Sequence, residues 1–299
     1  MFKINKKIDA VLVTYNPDTD TLKKCIDSLI NQVRRIIIVD NTPLGCKKLN
    51  SFNHENVEII YLYENMGIAY AQNVGIKKAM NDGAEFILTS DQDTIYPEDY
   101  IEVLMRCFIE KSKELKIASI SPVYIDENKE NSLQPMVYLK FGFLKKDYSF
   151  KECKSVSHVI SSGMLIPIDV LNYVGLMEEK LFIDWVDTEW CWRAISKGFH
   201  VLQTPHAVIN HCHGNTSRNV FGKNITVHSS FRNYYKIRNA VYLLLYSDNL
   251  SFFMRLFTLK QILQMLILNP LVSNNKIDEA IVLLKGLKDG LFAKMGMKK

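Results

Sequence analysis

The sequence lacks the glycine-rich motifs with which many nucleotide-binding proteins cradle phosphate groups. No G-x-G-x-x-G follows the first predicted strand, and no G-x-x-x-x-G-K-[ST] occurs anywhere in the 299 residues. The dinucleotide-binding and P-loop modes of nucleotide binding are therefore excluded. The six cysteines include no C-x-x-C pair, and a chain of this length does not need a disulfide framework. We expect reduced, mostly structural thiols.

The sequence also has little excess charge. Its formal net charge is +5, and no arginine-rich run is interleaved with aromatic residues, so nucleic acid is not an expected partner. Phosphate groups or an anionic membrane surface fit this modest basic balance better. The first 15 residues carry lysines but only a short apolar run that is broken by Asp9, which does not match a signal peptide. We expect a globular, cytoplasmic protein, because 47% hydrophobic residues suffice for a packed core.

Compact apolar runs alternate with amphipathic segments over the first 115 residues. The runs typical of buried strands lie at 8–15, 35–41, 57–63 and 85–94. Between them apolar side chains recur at helical spacing, as at Leu22, Ile26 and Leu29. This alternation predicts an α/β fold with a mainly parallel central sheet and helices on both of its faces.

Each of the first four predicted strands ends in polar residues. These are Thr14, Tyr15 and Asn16, then Asp40, then Asn65 with Gly67, then Asp91, Gln92 and Asp93. Because the carboxyl ends of parallel strands meet where ligands bind, we expect these residues to lie together. Asp91 and Asp93 are one residue apart in extended geometry, so their carboxylates point the same way and suit a shared divalent cation. For each position taken singly, a solvated turn is the alternative.

Four segments together resemble the inverting family 2 glycosyltransferases with the GT-A nucleotide-diphospho-sugar transferase fold. They are VTYNP (13–17), IVDN (38–41), NMGIAYAQNVGI (65–76) and SDQD (90–93). The resemblance implies nucleotide-sugar contacts at Thr14, Tyr15, Asn16, Asp40, Asn65, Gly67, Asn73, Asp91 and Gln92. It further implies that Asp91 and Asp93 bind Mg²⁺ or Mn²⁺, which would neutralise charge on the leaving nucleoside diphosphate.

A second acidic cluster, LFIDWVDTEWCWRA at 181–194, carries the candidate general base. Acids at this position would also simply cap a helix that is predicted to begin near Thr188. By the resemblance, Asp187 removes the proton from the acceptor hydroxyl, with Glu189 as the second choice. Trp185 is expected to form a wall for a sugar ring. Upstream, the Ser162-Gly163 pair resembles the segment that approaches the donor sugar, and an ordinary strand with a glycine bulge is the alternative.

The segment HAVINHCHG contains His206, His211 and His213 together with Cys212. Two imidazoles on one face of a strand beside a cysteine would suit zinc, although no second ligand pair at suitable spacing follows. The resemblance instead assigns His211 as an extra ligand of the metal that holds the diphosphate. His213 would contact the phosphates or merely close the strand, and both interpretations stay open.

The C-terminal segment no longer alternates predicted strands with helices and is mainly helical in pattern. After RNYYKIRNAVYLLLY comes SFFMRLFTLKQILQMLILNP, whose wide apolar face is interrupted by Arg255, Lys260 and Gln264 and is therefore too polar to span a membrane. We divide the chain into a catalytic domain at 1–225 and a C-terminal helical region at 226–299. This region is expected to contact a membrane surface or to form a homodimer, and an ordinary solvated helix face is the alternative.

With this tail, the sequence resembles bacterial rhamnosyltransferases of the same family, which use dTDP-L-rhamnose to extend lipid-linked surface polysaccharides such as O-antigen. The resemblance implies dTDP-rhamnose as donor, a lipid-linked oligosaccharide as acceptor, and peripheral contact with the inner face of the bacterial cell membrane. The alternatives are a UDP- or GDP-linked donor, a sugar-phosphate nucleotidyltransferase, and a non-catalytic module that binds nucleotide sugars. A nucleotidyltransferase would need a glycine-rich, basic loop after the first strand, and Tyr15-Asn16-Pro17 is neither.

Overall fold

The computed structural model describes residues 6–52, 54–126, 132–211, 216–220, 223–227 and 229–298, with the backbone alone at 126, 211, 216–220 and 223–227. The strands are β1 (Ile8–Thr14), β2 (Arg35–Asp40), β3 (Val57–Tyr61), β4 (Phe86–Asp91), β5 (Ile117–Asp126), β6 (Ser132–Leu133), β7 (Met136–Lys140), β8 (Phe143–Asp147), β9 (Lys154–Ser155), β10 (Met164–Pro167), β11 (His200–His211), β12 (Thr216–Val220) and β13 (Lys223–Val227). The α-helices are α1 (Thr19–Leu29), α2 (Ile68–Asn81), α3 (Tyr100–Lys111), α4 (Ile168–Val174), α5 (Val186–Ser196), α6 (Ser230–Tyr246), α7 (Phe252–Val272) and α8 (Lys276–Leu291). Short 3₁₀ helices lie at Lys47–Phe52 and Glu179–Leu181.

A sheet of nine strands organises the described part of the chain. Its order is β3-β2-β1-β4-β10-β5-β11-β9, with β6 paired to β5. The first four strands are mutually parallel, β10 runs antiparallel to both β4 and β5, and β11 is parallel to β5. The six longest strands therefore run in one direction, which confirms the prediction of a mainly parallel sheet.

Helices cover both faces of this sheet, because successive side chains of a strand point to opposite sides. Ile8 and Leu12 of β1 lie in one apolar core with α1 and α3, whereas Val11 and Val13 lie in a second core with α2 and α5. Helix α2 approaches β1 closely at Gly75, where an added Cβ would lie 2.4 Å from the Val11 Cγ1 atom. The two-sided packing agrees with the sequence prediction.

Two segments differ from what their sequences predict. The irregular pattern of residues 126–154 conceals β6, the hairpin β7–β8 and β9, because most hairpin positions stay exposed or half-buried and so leave no apolar alternation. The apolar alternation of 156–168 predicts a longer strand than β10, which covers only Met164–Pro167. Gly163 has a φ of +79°, a left-handed conformation that interrupts extended geometry just before the strand.

The C-terminal helices pack on one another and on the sheet-containing part of the chain. Phe257 of α7 shares the apolar core of Trp192 on α5, with their ring centroids 6.1 Å apart. The boundary between 225 and 226 remains a prediction. Among the described residues, no helix combines the length and the apolar character that crossing a membrane requires.

Candidate active site

A cavity of about 740 Å³ opens where β1 to β4 end. The strand ends contribute Tyr15, Asn41, Asn65, Gly67, Asp91, Gln92 and Asp93 to its wall. The rest of the wall comes from residues that include Ser161, the segment Phe182 to Asp187, and the α6 residues Phe231 and Arg232. The structure thus brings the polar strand ends together at one edge of the sheet, as their positions in the sequence predicted.

Hydrogen bonds between the strand ends fix this wall. The Gln92 Oε1 atom accepts a hydrogen bond of 2.8 Å from the backbone N–H of Tyr15. The Asn65 Oδ1 atom accepts one of 2.9 Å from the Asn41 side chain and one of 3.1 Å from the Gly67 N–H. An added Cβ at Gly67 would lie 2.6 Å from the Phe182 carbonyl oxygen. Gly67 therefore lets the two walls of the cavity meet.

The predicted nucleotide contact Asp40 lies behind the cavity wall. Its side chain is fully buried and accepts hydrogen bonds from the Thr14 hydroxyl (3.0 Å), the Thr42 hydroxyl (2.7 Å) and the Cys46 N–H (2.6 Å). These bonds tie the end of β1 to the segment after β2. In this structure Thr14 and Asp40 support the wall, and their contact with a nucleotide remains a prediction.

Three further predicted contacts also lie off the wall. The Asn73 side chain is buried and exchanges hydrogen bonds with the backbone of Met177. An added Cβ at Gly163 would lie 2.3 Å from the Tyr100 hydroxyl, and it is Ser161 that lines the cavity. Asn16 is exposed beside the cavity. A role of these three residues in nucleotide-sugar binding is likewise still a prediction.

Asp187, the predicted base, lies in the first turn of α5 and lines the cavity. Burial raises the pKa of its carboxyl from 3.8 to about 6, the backbone N–H groups of Thr188 and Ser161 lower it, and the charges of Asp91 and Asp184 raise it. A carboxylate with a pKa near 6 is ionised at neutral pH and still binds a proton readily, as general base catalysis requires.

The segment before α5 has positive φ angles at non-glycine residues, and a side chain of α6 donates hydrogen bonds to its backbone. Asp184 and Trp185 have φ angles of +62° and +67°, which cost about 1–3 kcal/mol each in non-glycine residues. The Asn239 Nδ2 group donates to the carbonyls of Leu181 (2.9 Å), Ile183 (2.8 Å) and Asp184 (3.0 Å). Asn239 is fully buried. It therefore keeps Asp187 in position through the backbone that leads into the helix.

Replacing Asn239 by alanine should lower both stability and activity. The change removes the Asn239 donor from the carbonyls of Ile183 and Asp184, while the Leu181 carbonyl keeps the Ile183 N–H and the Arg238 guanidinium. We expect this loss to cost about 2–4 kcal/mol of unfolding free energy. Urea denaturation measures the loss. Transfer at a temperature well below the melting point should fall more than in Thr258→Val, which removes a buried hydroxyl bonded only within α7. Equal transfer rates in the two variants would contradict the positioning role.

Arg232 of α6 is a cavity residue to which the sequence pattern assigned no role in the site. Its guanidinium pairs with the Asp184 carboxylate at 2.7 Å, and Arg232 lines the larger cavity. The available signal was the spacing of Arg232, Lys236 and Asn239 in the helix, since residues four and seven positions apart share one face. A polar stripe of this kind on an otherwise apolar helix predicts contact with a polar site.

Glu189, the second choice for the base, is already paired. Both of its carboxylate oxygens accept hydrogen bonds from the Arg193 guanidinium, at 2.8 and 2.9 Å. Arg193 in turn donates to the carbonyls of Val174 and Leu176. The pair thus joins α5 to the end of α4, and Glu189 does not line the cavity.

Changing Glu189 to glutamine should therefore separate the two candidate bases. We expect the unfolding free energy to fall by on the order of 1–3 kcal/mol, because a buried charge pair loses one charge. Transfer should stay within a few-fold of the unchanged protein. Loss of transfer in Glu189→Gln with activity retained in Asp187→Asn would instead make Glu189 the base.

A second cavity of about 460 Å³ also has Asp187 in its wall. It shares Asp184, Trp185 and Asp187 with the larger cavity. Its remaining wall comes from His158, Thr188, Asn233, Lys236, Phe257, Gln261, Gln264, Met265, Leu268 and Asn269. Asp187 and Trp185 therefore line both cavities, and the role of Trp185 beside a sugar ring remains a prediction.

Two of the three predicted metal ligands lie together. Asp91 and Asp93 line the larger cavity and offer the carboxylate oxygens that Mg²⁺ and Mn²⁺ prefer, so these residues fit such an ion. The side chain of His211 lies outside the described residues, as do Cys212 and His213. Within the described residues, no three His, Cys, Asp or Glu side chains form a group that could hold a metal by themselves.

Comparison with known proteins identifies the family. Residues 9–175 match the family described as glycosyl transferase family 2. The chain is 38% identical over 244 residues to the dTDP-rhamnosyl transferase RfbF of Shigella flexneri, covering 81% of each chain. It is 23% identical over 246 residues to the low-salt glycan biosynthesis hexosyltransferase Agl10 of Haloferax volcanii, covering 79% of this chain and 76% of the relative.

Solved structures agree on the fold. The chain superimposes on GalNAc-T7 with UDP, GalNAc and Mn²⁺ with a TM-score of 0.58 and 13% identity, covering 80% of this chain and 52% of that one. It superimposes on S. aureus TarS with a TM-score of 0.64 and 17% identity, covering 96% and 49%. The chain thus spans about half the length of these two proteins, and the likeness shows the GT-A fold alone. By the family match and the identity to its relatives, the chain belongs to glycosyl transferase family 2.

Proposed function

We propose that this glycosyltransferase moves L-rhamnose from dTDP-L-rhamnose to a hydroxyl of a glycan acceptor, with inversion at the anomeric carbon. The similarity to a dTDP-rhamnosyl transferase over 81% of both chains supports the donor. One observation carries the mechanism: Asp187, with its pKa raised to about 6, lies on the wall that two cavities share. A single displacement needs one such base, placed opposite the leaving diphosphate.

The two cavities have different roles in this proposal. The larger one, at the strand ends, takes the nucleotide sugar, and the smaller one takes the acceptor sugar. Asp187 then removes the proton from the acceptor hydroxyl while the oxygen of that hydroxyl attacks the anomeric carbon. Trp185 lines both cavities, and Gln261 and Asn269 offer carboxamides that can bind sugar hydroxyls.

The negative charge of the leaving diphosphate is stabilised at the strand ends of the larger cavity, away from Asp187. We propose that Asp91, Asp93 and His211 hold Mg²⁺ or Mn²⁺. When bound, the ion supplies positive charge that stabilises the departing diphosphate. Arg232 adds a guanidinium on the same cavity, which suits a phosphate oxygen.

A donor panel tests the proposed activity. Purified protein is incubated with dTDP-L-rhamnose, UDP-linked or GDP-linked sugars and extracted lipid-linked glycans, and both nucleotide release and glycan mass are measured. We expect transfer from dTDP-L-rhamnose and thermal stabilisation by dTDP but not by UDP. Transfer from a UDP- or GDP-linked sugar instead would overturn the rhamnose donor. Release of a sugar phosphate and a nucleotide would indicate a nucleotidyltransferase, and binding without transfer would indicate a non-catalytic module.

We further propose that the acceptor is lipid-linked and that the protein works at the inner face of the bacterial cell membrane. The basic and apolar character of the C-terminal helices supports this placement. Exposed lysines at Lys285 and Lys288 of α8 would each gain about 1 kcal/mol near an anionic leaflet. A homodimer through the same helices is the competing arrangement. An anionic membrane attracts a basic contact surface, whereas two copies of that surface repel each other.

A further inference from the structure

The outer side of α7 carries an exposed apolar stripe. Its members are Phe252, Leu256, Leu259, Leu263, Ile267 and Leu271. Their spacings of three and four place them along one side of the helix. Phe252 is 75% and Ile267 is 62% exposed, so the stripe faces solvent over the whole length of the helix. Contiguous exposed apolar surface of this extent is typical of an interaction site.

The tip of the β7–β8 hairpin extends the stripe at its N-terminal end. The Phe141 ring lies 5.4 Å from the Phe253 ring, and an added Cβ at Gly142 would lie 2.7 Å from the Leu256 side chain. Phe141 and Phe143 are themselves 63% and 53% exposed. The hairpin tip and the helix therefore form one continuous surface.

Lysines lie against the aromatic rings of this surface. Lys260 lies 4.4 Å from the Phe143 ring centroid, and Lys140 lies 5.8 Å from that of Phe141. No aspartate or glutamate occurs between Asp248 and Asp278. In a symmetric dimer the same patch faces itself, so these lysines would approach one another. An anionic surface complements them instead.

We propose that α7 and the β7–β8 hairpin tip dock on an anionic lipid surface. The stripe would enter the boundary between headgroups and acyl chains, and the lysines would contact lipid phosphates. The proposal rests on the proposed function in one respect, because a lipid-linked acceptor would then be held close to the smaller cavity. Phe257 and Gln261 on another face of α7 line that cavity.

Flotation of the full-length protein with vesicles tests the docking. The vesicles are phosphatidylcholine alone, or equal parts phosphatidylcholine and phosphatidylglycerol. We expect flotation with the anionic vesicles, weaker by at least about tenfold with phosphatidylcholine alone. Leu263→Glu combined with Ile267→Glu should reduce binding by a similar factor, since the stripe then carries charge. Ile109→Glu, at an exposed apolar position on α3, is the matched control and should bind as the unchanged protein does.

Several outcomes would overturn the docking. They are no flotation of the unchanged protein, equal flotation of the double variant, or a dimer in light scattering that the double variant dissociates while vesicles bind neither protein. The transfer assay keeps the two proposals apart. Flotation without transfer to any acceptor would contradict the proposed function and support the docking, whereas transfer without flotation would contradict the docking alone.

Discussion

Asp187→Asn should reduce sugar transfer by about 10²–10⁴-fold, the contribution of a positioned general base. The side chain keeps its size and an oxygen that can accept from the Thr188 N–H but can no longer take a proton. Binding of dTDP, measured by thermal shift, should be unchanged. Glu189→Gln serves as the matched control on the same helix. Normal transfer by a folded Asp187→Asn protein would remove the base assignment.

The pH dependence of transfer by the unchanged protein should reflect the titration of Asp187. Because burial holds the pKa of Asp187 at about 6, transfer should rise as pH increases through about 6 and level off above it. Stability should change in the opposite sense. The folded state binds the proton more tightly than the unfolded chain, so stability is lost as pH rises from about 4 to about 6.

The stability of Asp187→Asn checks this sign. A tenfold difference in proton affinity is worth about 1.4 kcal/mol, so the buried carboxylate costs on the order of 2–3 kcal/mol once ionised. The variant should therefore gain stability relative to the unchanged protein at pH 8 but not at pH 4, as urea denaturation at the two pH values can measure. An equal difference at both pH values would show that the Asp187 carboxyl titrates normally.

Removing divalent cations with EDTA should abolish transfer, and added Mg²⁺ or Mn²⁺ should restore it. An ion that stabilises the departing diphosphate by several kcal/mol accounts for a loss of about a hundredfold or more. Stabilisation by dTDP should disappear together with the metal, because the carboxylates of Asp91 and Asp93 would then face the phosphates directly. Full activity in EDTA would contradict the metal site.

Single substitutions locate the ion. Asp93→Asn should weaken activation by Mn²⁺, seen as a higher metal concentration for half-maximal rate, while Glu98→Gln should not. Glu98 is an exposed carboxylate five residues later, in the turn before α3, and is therefore a control for general charge effects. An equal response of the two variants would mean that Asp93 is not a ligand.

The elements that the sequence predicted are those that a pattern of neighbouring residues reveals. Strands β1 to β4 are compact apolar runs, and parallel pairing alone brings Asn65 and Asp91 to the same edge. Asp187 followed from family resemblance, and the structure adds the reason for its altered pKa. The pairing of Glu189 was also accessible, because Arg193 lies four residues later on the same helix.

What the sequence did not predict depends on contacts between distant segments. Asn239 supports carbonyls more than 50 residues earlier, and Arg232 reaches Asp184 across a similar separation. The burial of Asp40 by three donors could not be read from IVDN alone. The β7–β8 hairpin was missed because exposed strands do not alternate apolar and polar residues.

A crystal structure with dTDP and Mn²⁺ would show where the donor and the metal bind. We expect the diphosphate in the larger cavity and an anomalous manganese peak about 2.0–2.2 Å from carboxylate oxygens of Asp91 and Asp93. The smaller cavity should remain free for the acceptor. Nucleotide bound in the smaller cavity, or manganese bound away from both aspartates, would show that the proposed arrangement of donor, metal and base is wrong.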